Sequence, residues 1–524
     1  MPDRIFPVAG VTRCVISGAG VRRDLEVTSG GKKRRNIIFF TVFGLALVGA
    51  LVVPELCPAA TMSAGGEAHP DIGKVLPIWS VIPFIGILLS IALCPLLTPK
   101  FWHQHYGKVS AFWAIVFAVP AIYVFHETAI IPILHIYIID YIPFIILLWS
   151  LYTIAGGIVV TGTLRGTPVM NSVLLIIGTI LASWVGTTGA SMVMIRPVMR
   201  ANRDRERKAH IIVFFIFLVS NIGGALTPLG DPPLFLGFLH SVPFFWVTKA
   251  ILPHMLLTSL IVLALFYLID SYHYRKEKSR PVAPESPAEE IPIRVEGAYN
   301  LIFLGGVVGL VLLSGYWKAG CFTVMGIEVN HQNIVRDAGI LAMGLLSLHF
   351  TPWTLREASG FGWAPIIEVA KLFAGIFMTI LPALAILKAG YQGALAGLLV
   401  YVKDPAGYYW ASGSLSSFLD NAPTYLTFFY MALGQLGMTE AMVPGACSVG
   451  TVTYNPEFVA LLKGVSAGSV FMGANTYIGN APNFMVKSIA EEAGVNMPSF
   501  FGYMFKYSIP ILIPVFILVT FVFF

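Results

Sequence analysis

Two stretches decide how this 524-residue chain folds. The first is Gly224-Ala225-Leu226-Thr227-Pro228-Leu229-Gly230-Asp231-Pro232-Pro233-Leu234-Phe235. The second is Gly473-Ala474-Asn475-Thr476-Tyr477-Ile478-Gly479-Asn480-Ala481-Pro482-Asn483-Phe484. Both follow the pattern GAxTxxG(D/N)xPxF, and both sit inside long apolar runs. Neither reads as continuous helix, because proline removes a backbone donor and clashes with the preceding turn. Each leads into a similar exit, Val242-Pro243-Phe244-Phe245 in the first case and Met497-Pro498-Ser499-Phe500-Phe501 in the second. Upstream, Thr187-Thr188-Gly189-Ala190-Ser191 stands where Asp420-Asn421-Ala422-Pro423-Thr424 stands in the second half. The chain therefore reads as two copies of one unit.

The setting of the copies is a bilayer. Hydrophobic residues make up 56% of the chain and charged residues 11%, against about 25% charged in soluble domains. Glycine contributes 50 residues and aromatics 13%, which suits close helix packing and interfacial belts. The net charge of +6 is spread over loops between apolar runs and is no nucleic-acid signal. Cys14, Cys57, Cys94, Cys321 and Cys447 form neither CxxC pairs nor zinc spacing. There is no HExxH, Walker A or GxGxxG sequence. Enzyme activity is not expected, and neither is a cofactor.

Eleven spans are expected, at about 37–53, 78–97, 108–125, 142–161, 209–240, 244–269, 299–316, 337–350, 363–387, 456–486 and 507–524. Stretches 171–199 and 408–433 look interrupted at their centres and read as re-entrant hairpins. The expected class is an all-α polytopic membrane protein of about eleven transmembrane helices in two inverted repeats. Residues 1–77 form an N-terminal basic segment, a first apolar span or signal, and an exterior loop. Residues 78–270 form the first repeat, 271–298 a cytoplasmic linker and 299–524 the second repeat. Lys and Arg set the direction, since short cytoplasmic loops hold their excess. Lys32–Arg35, the run Arg196–Lys208 and the linker are basic, whereas 126–141 and 434–455 hold neither residue. The first motif then runs outward and the second inward. Inverted copies of this kind are common in secondary transporters.

Broken backbone at membrane depth is tolerated only where it lines a protein or water cavity. Half-helix N-termini there favour anions, and loose carbonyls favour cations. The expected ion or substrate site therefore takes Thr187, Thr188, Gly189 and Ser191 from the first tip, and Asp420, Asn421, Pro423 and Thr424 from the second. Asn221, Thr227, Gly230 and Asp231 come from the first break. Asn475, Thr476, Gly479, Asn480 and Asn483 come from the second. Asp231, Asp420, Asn421 and Asn480 are the sodium candidates, since their oxygens suit a hard ion. A carboxylate at such depth is usually functional, although helix capping is the alternative for each Asp. Glu368 and Lys371, three apart, share a helix face and are placed to pair. His103 and His105 are read as interfacial residues of an interior loop.

The runs Gly186-Thr187-Thr188-Gly189-Ala190-Ser191, Ile195-Arg196-Pro197, Asn221-Ile222-Gly223-Gly224 and Phe418-Leu419-Asp420-Asn421-Ala422-Pro423-Thr424 together resemble the ion transporter superfamily. The nearest branch is that of NhaD-type sodium:proton antiporters and citrate transporters. The resemblance covers roughly 75–510 and implies two re-entrant hairpins and two broken helices around a midplane site, working by an elevator-like motion. The dicarboxylate members carry Ser-Asn-Thr at both tips, and this chain does not. That departure tilts the expectation toward sodium/proton antiport, with sodium- or proton-coupled carboxylate symport as the alternative. Sodium is expected as the coupling or transported ion. The expected partners are the bilayer and a small ion or organic anion, with no nucleic acid and with a homodimer left open. The bacterial inner membrane is the expected location.

Overall fold

A computed structural model describes residues 55–56, 72–278 and 292–524. The expected span 37–53 and its flanking basic residues lie outside them. Glu55 and Leu56 belong with Phe322–Glu328 to one contact unit. Within it, Glu55 pairs with Thr323 and Leu56 with Phe322 in an antiparallel ladder. The second unit, Ala59–Cys321 with Val329–Phe524, holds everything described below.

After short helical turns at Ile72–Val75 and Ile78–Val81, the second unit continues with α1 (Ile82–Leu97) and α2 (Pro99–Phe125), which meet at Thr98. The interior loop expected around His103 and His105 is thus helix, and His105 stacks on Phe101 one turn earlier. Helix α3 spans Thr128–Ala155. The exterior loop expected at 126–141 shrinks to a turn at His126, where φ is 47°. Isoleucines line that stretch, and the helix carries them through a π-helical segment, Ile136–Tyr141, which absorbs an extra residue. Two short strands, β1 (Val159–Thr161) and β2 (Arg294–Glu296), pair antiparallel. They add a little sheet to the expected all-α class, and β2 occupies part of the expected linker.

Helices α4 (Pro168–Val185) and α5 (Thr187–Ala201) form the first hairpin. Gly186 joins them at φ 83°, a conformation that favours glycine. The first broken span follows as α6 (Ala209–Leu218), a 3-10 turn Ile222–Leu226, extended residues around Thr227, and α7 (Pro232–Leu239). Helix α8 (Phe244–Lys278) is 35 residues long and runs on into the expected linker.

The second half has α9 (Asn300–Tyr316), α10 (His331–Phe350) and α11 (Trp353–Ser359), the last two bent by 103° at their junction. Helix α12 (Ala364–Lys388) leads to the second hairpin, α13 (Pro405–Phe418) and α14 (Asn421–Gln435). The second broken span is α15 (Pro456–Phe471), a 3-10 turn Met472–Asn475 and α16 (Ala481–Glu492). Helix α17 (Phe500–Phe523) closes the chain. Among the described residues, nine helices are long and apolar enough to cross a membrane, or ten if the bent pair is one span. The count of eleven included 37–53, which lies outside the described residues.

Burial separates the breaks from the rest. The span Ala209–Leu226 is 89% buried and Pro456–Asn475 is 83% buried, while α2 is 6% buried. The broken spans therefore form the centre of the unit, and α2 turns its apolar surface outward. Helix α15 also carries Gly464-Val465-Ser466-Ala467-Gly468, a GxSxG spelling. Nucleophile chemistry needs that spelling on a strand-to-helix turn, and here it lies mid-helix. A Cβ at Gly464 would stand 2.5 Å from the Pro405 carbonyl oxygen, and one at Gly468 2.3 Å from that of Tyr409. The glycines let α15 lie directly on α13.

Candidate functional site

The two breaks have one backbone path. Thr227 sits at φ −138°, ψ 159° and Thr476 at φ −139°, ψ 168°. Asp231 and Asn480, each the residue before its half-helix, sit at φ −142°, ψ 142° and φ −152°, ψ 141°. The Thr227 hydroxyl donates to the Ser183 carbonyl, and the Thr476 hydroxyl donates to that of Ser417. Each break is thereby pinned to the last turn of the hairpin arm before it. Ser183 and Ser417 are equivalent by this bond, and so are Thr187 and Asn421, which open the second arms. The tip alignment expected from sequence, Thr187 against Asp420, is one residue out of register. The short tips contain no proline or glycine common to both that fixes the match.

Asp231 is the hub. It stands before α7 but makes no capping bond to that helix. Its carboxylate, 1% exposed, instead accepts from three directions. The Thr187 hydroxyl donates to Oδ1 at 2.9 Å, and Asn480 Nδ2 donates to Oδ1 at 3.0 Å. Asn421 Nδ2 donates to Oδ2 at 2.5 Å. One side chain thus ties both hairpin tips and the second break to the first break. Charge-assisted bonds of this kind are short and about twice as strong as neutral ones. Asp420 has the other role: its Oδ1 accepts the Ala422 amide at 3.0 Å and caps α14. The capping alternative holds for Asp420 and fails for Asp231.

The remaining expected residues divide. Asn221 Nδ2 donates to Asn483 Oδ1 at 2.7 Å, clamping the first break to the second. Asn483 Nδ2 in turn bonds the Gly473 and Thr476 carbonyls. Asn475 donates to Ser417. The Oδ1 atoms of Asn221, Asn421 and Asn475 are buried without a hydrogen-bond partner. These are carbonyl-type oxygens of the kind a hard cation takes, and that of Asn421 belongs to a side chain bonded to Asp231. Asn421 and Asn480 meet Asp231 through their amide nitrogens, so in this conformation they act as donors to the carboxylate. Ser191, Pro423 and Thr424 line no part of the central cavity, and neither do Asn221, Thr227, Asn421, Asn475, Thr476, Gly479 or Asn483. Ser191 bonds the Ser220 hydroxyl, Thr424 bonds back to the Asp420 carbonyl, and Pro423 is buried in the first turn of α14. Glu368 and Lys371 do not pair, because Lys371 lies over the Tyr106 ring at 5.5 Å instead.

A cavity of about 850 Å³, mouth included, opens on the hub. Its walls are apolar, with Phe144, Leu147, Ile366 and Phe373 among them. Its polar floor is made of helix starts: Gly186 to Gly189 of α5, Pro232 of α7, Asp420 before α14, and Asn480 with Ala481 of α16. Four half-helix N-termini converge there.

A second buried cluster was not found by sequence reading. His240, at the far end of α7, lies with Nε2 3.2 Å from Asp140 Oδ1 and Nδ1 2.9 Å from Glu440 Oε2. The Tyr430 hydroxyl donates to Glu440 Oε1 at 2.7 Å. Burial pushes Glu440 upward, but His240, Tyr430 and Lys388 outweigh it and hold the carboxyl down to about 2. The cluster links α3, α7 and α14. A lone carboxylate at Asp140 within Ile136-Tyr137-Ile138-Ile139-Asp140-Tyr141-Ile142 was the available signal. The expected exterior loop at 126–141 covers Asp140 and masks the signal.

No curated protein matches the chain. Residues 73–524 match the family model described as "Putative citrate transport", well over half of the sequence. With nine or ten membrane-length helices among its described residues, the chain is a multi-pass secondary transporter belonging to that citrate-transport family.

Proposed function

We propose that the chain carries citrate or a similar polycarboxylate by symport with a proton or sodium ion, with Asp231 as the coupling group. The observation that carries this reading is the convergence of four helix N-termini on one cavity. Each supplies about half a positive charge, roughly +2 in all. Asp231 and Asp420, when ionised, cancel that. An anion then gains little by entering. Once a proton or sodium ion neutralises Asp231, about one positive charge is left over and a carboxylate is attracted. Neutralisation also weakens the bonds from Thr187, Asn421 and Asn480, so charge at Asp231 and closure of both tips change together. Sodium here is cargo, with the Asp231 carboxylate and the orphaned Oδ1 of its neighbour Asn421 as candidate ligands.

Sodium/proton antiport is the second reading. It is favoured by the same buried carboxylate, which suits a site holding either cation. The two differ in whether an organic anion is needed. Labelled-citrate counterflow in proteoliposomes is expected to saturate. It is expected to survive Asp420→Asn, because asparagine caps a helix as well as aspartate does. No counterflow with any polycarboxylate would remove the symport reading.

The inverted arrangement and a bacterial inner-membrane location belong to the same proposal. They place Arg203 in the cytoplasm and Val452 outside, both on exposed sites. A cysteine at 452 should react with an impermeant reagent in whole cells, and one at 203 only after permeabilisation. Strong labelling at 203 from outside would overturn the orientation.

A further inference from the structure

Beside the central cavity, a crevice of about 970 Å³, mouth included, lies between α5, β1, the end of α11 and the residues after α16. Gly189 lines the cavity, while Arg196 and Arg200, further along the same helix α5, line the crevice. Arg203 and Lys208 line it as well, and no Asp or Glu does. Four cations facing one space without a carboxylate among them repel one another unless something negative is present.

The individual side chains sharpen this. Arg203 and Lys208 are partly occupied. Arg203 lies 3.5 Å from exposed Asp204, and Lys208 donates to the Arg203 carbonyl. Arg205, next to them in sequence, faces elsewhere and pairs with Asp270 and Glu277. Arg200 spends one donor on the Val160 carbonyl. Arg196 Nε is buried with no partner, an expensive condition for a guanidinium. Gly360, at φ 70°, keeps that guanidinium's place open, since a Cβ there would fall 1.8 Å from Arg196 Nη2. Arg196 and Arg200 are four apart and share a helix face, so their forks can grip one tetrahedral group.

We propose that this crevice is a second anion site, which takes a phosphate-type oxyanion between Arg196 and Arg200. The group belongs either to a soluble phosphate or to a lipid headgroup, because guanidinium forks recognise the oxygens in both. The site is separate from the central cavity and does not depend on citrate being the substrate.

The test uses the purified full chain in phosphatidylcholine nanodiscs, with and without phosphatidic acid, titrated with inorganic pyrophosphate at constant ionic strength set by chloride. Saturable pyrophosphate binding is expected, weakened about tenfold or more in the Arg196→Gln, Arg200→Gln double variant, as loss of charge-assisted bonds implies. Gly360→Ala should weaken it too, by displacing the guanidinium, and serves if the double variant does not fold. Asp231→Asn should leave it unchanged. If phosphatidic acid competes with pyrophosphate in an arginine-dependent way, the resident group is a lipid headgroup. If it does not, the group is soluble. Binding that is absent for both probes, or the same in both arginine and glycine variants, overturns the proposal.

Discussion

Asp231→Asn is expected to abolish ion-driven accumulation of citrate while leaving citrate-for-citrate exchange within about tenfold of the parent. The asparagine fills the same volume and cannot titrate. It mimics the neutralised carboxylate, the form in which the four helix starts attract an anion. Exchange needs only binding and reorientation, so it persists. Accumulation needs a cation to bind and leave at this position, so it is lost. The amide nitrogen must also face a donor, either Asn421 Nδ2 or the pair Thr187 and Asn480. A flip of the Asn421 amide, whose Oδ1 has no partner, gives the new nitrogen an acceptor; without that flip one bond fails, at a cost of about 1–3 kcal/mol. Paired measurements of gradient-driven uptake and counterflow read the two effects separately. Loss of both together in a folded variant would assign Asp231 to substrate binding instead of coupling.

The largest stability effect is expected at the breaks. A Cβ at Gly230 would lie 2.1 Å from the Gly224 carbonyl oxygen, and one at Gly479 2.5 Å from that of Gly473. Both obstacles are backbone, so no side chain can swing aside. Gly230 also sits between two contacts that hold the site, since its amide donates to the Thr227 carbonyl and its carbonyl accepts the Thr187 amide. Gly230→Ala should therefore cost about 3 kcal/mol or more, the upper range for overpacking, with Gly479→Ala somewhat less. Gly309→Ala is the contrast. Nothing lies within 4 Å of its would-be Cβ, and alanine is the better helix former by about 1 kcal/mol. Thermal unfolding in detergent should show a large drop for Gly230→Ala and no drop for Gly309→Ala. Equal behaviour of the two would mean that the breaks are not tightly closed.

Much of the centre was legible because glycine and proline are punctuation that composition cannot hide. The matching breaks, the hairpins and the choice of Asp231, Asn421, Asn480 and Thr187 all follow from that punctuation at membrane depth. What stayed illegible depends on contacts between distant residues. Asp231 and Asp420 look alike in sequence. Only the direction of each side chain separates a hub that joins four segments from a cap on its own helix. The one-residue register of the tips is fixed by Ser183 and Ser417, whose carbonyls take the threonine hydroxyls. The Asp140–His240 contact spans α3 and α7. It is hidden in the sequence because an isoleucine-rich stretch next to a charged residue and histidines reads as a loop, whereas it continues as helix.

The coupling at Asp231 is tested most directly by following cation movement in vesicles that carry the purified protein and both a pH dye and a sodium dye. The vesicles are acid-loaded, sodium is added outside, and citrate is supplied only in a second step. No protein-dependent cation flux is expected in the first step, and flux of protons or sodium with the citrate is expected in the second. Sodium-for-proton exchange in the first step, with no organic anion present, would contradict it and make the chain an antiporter.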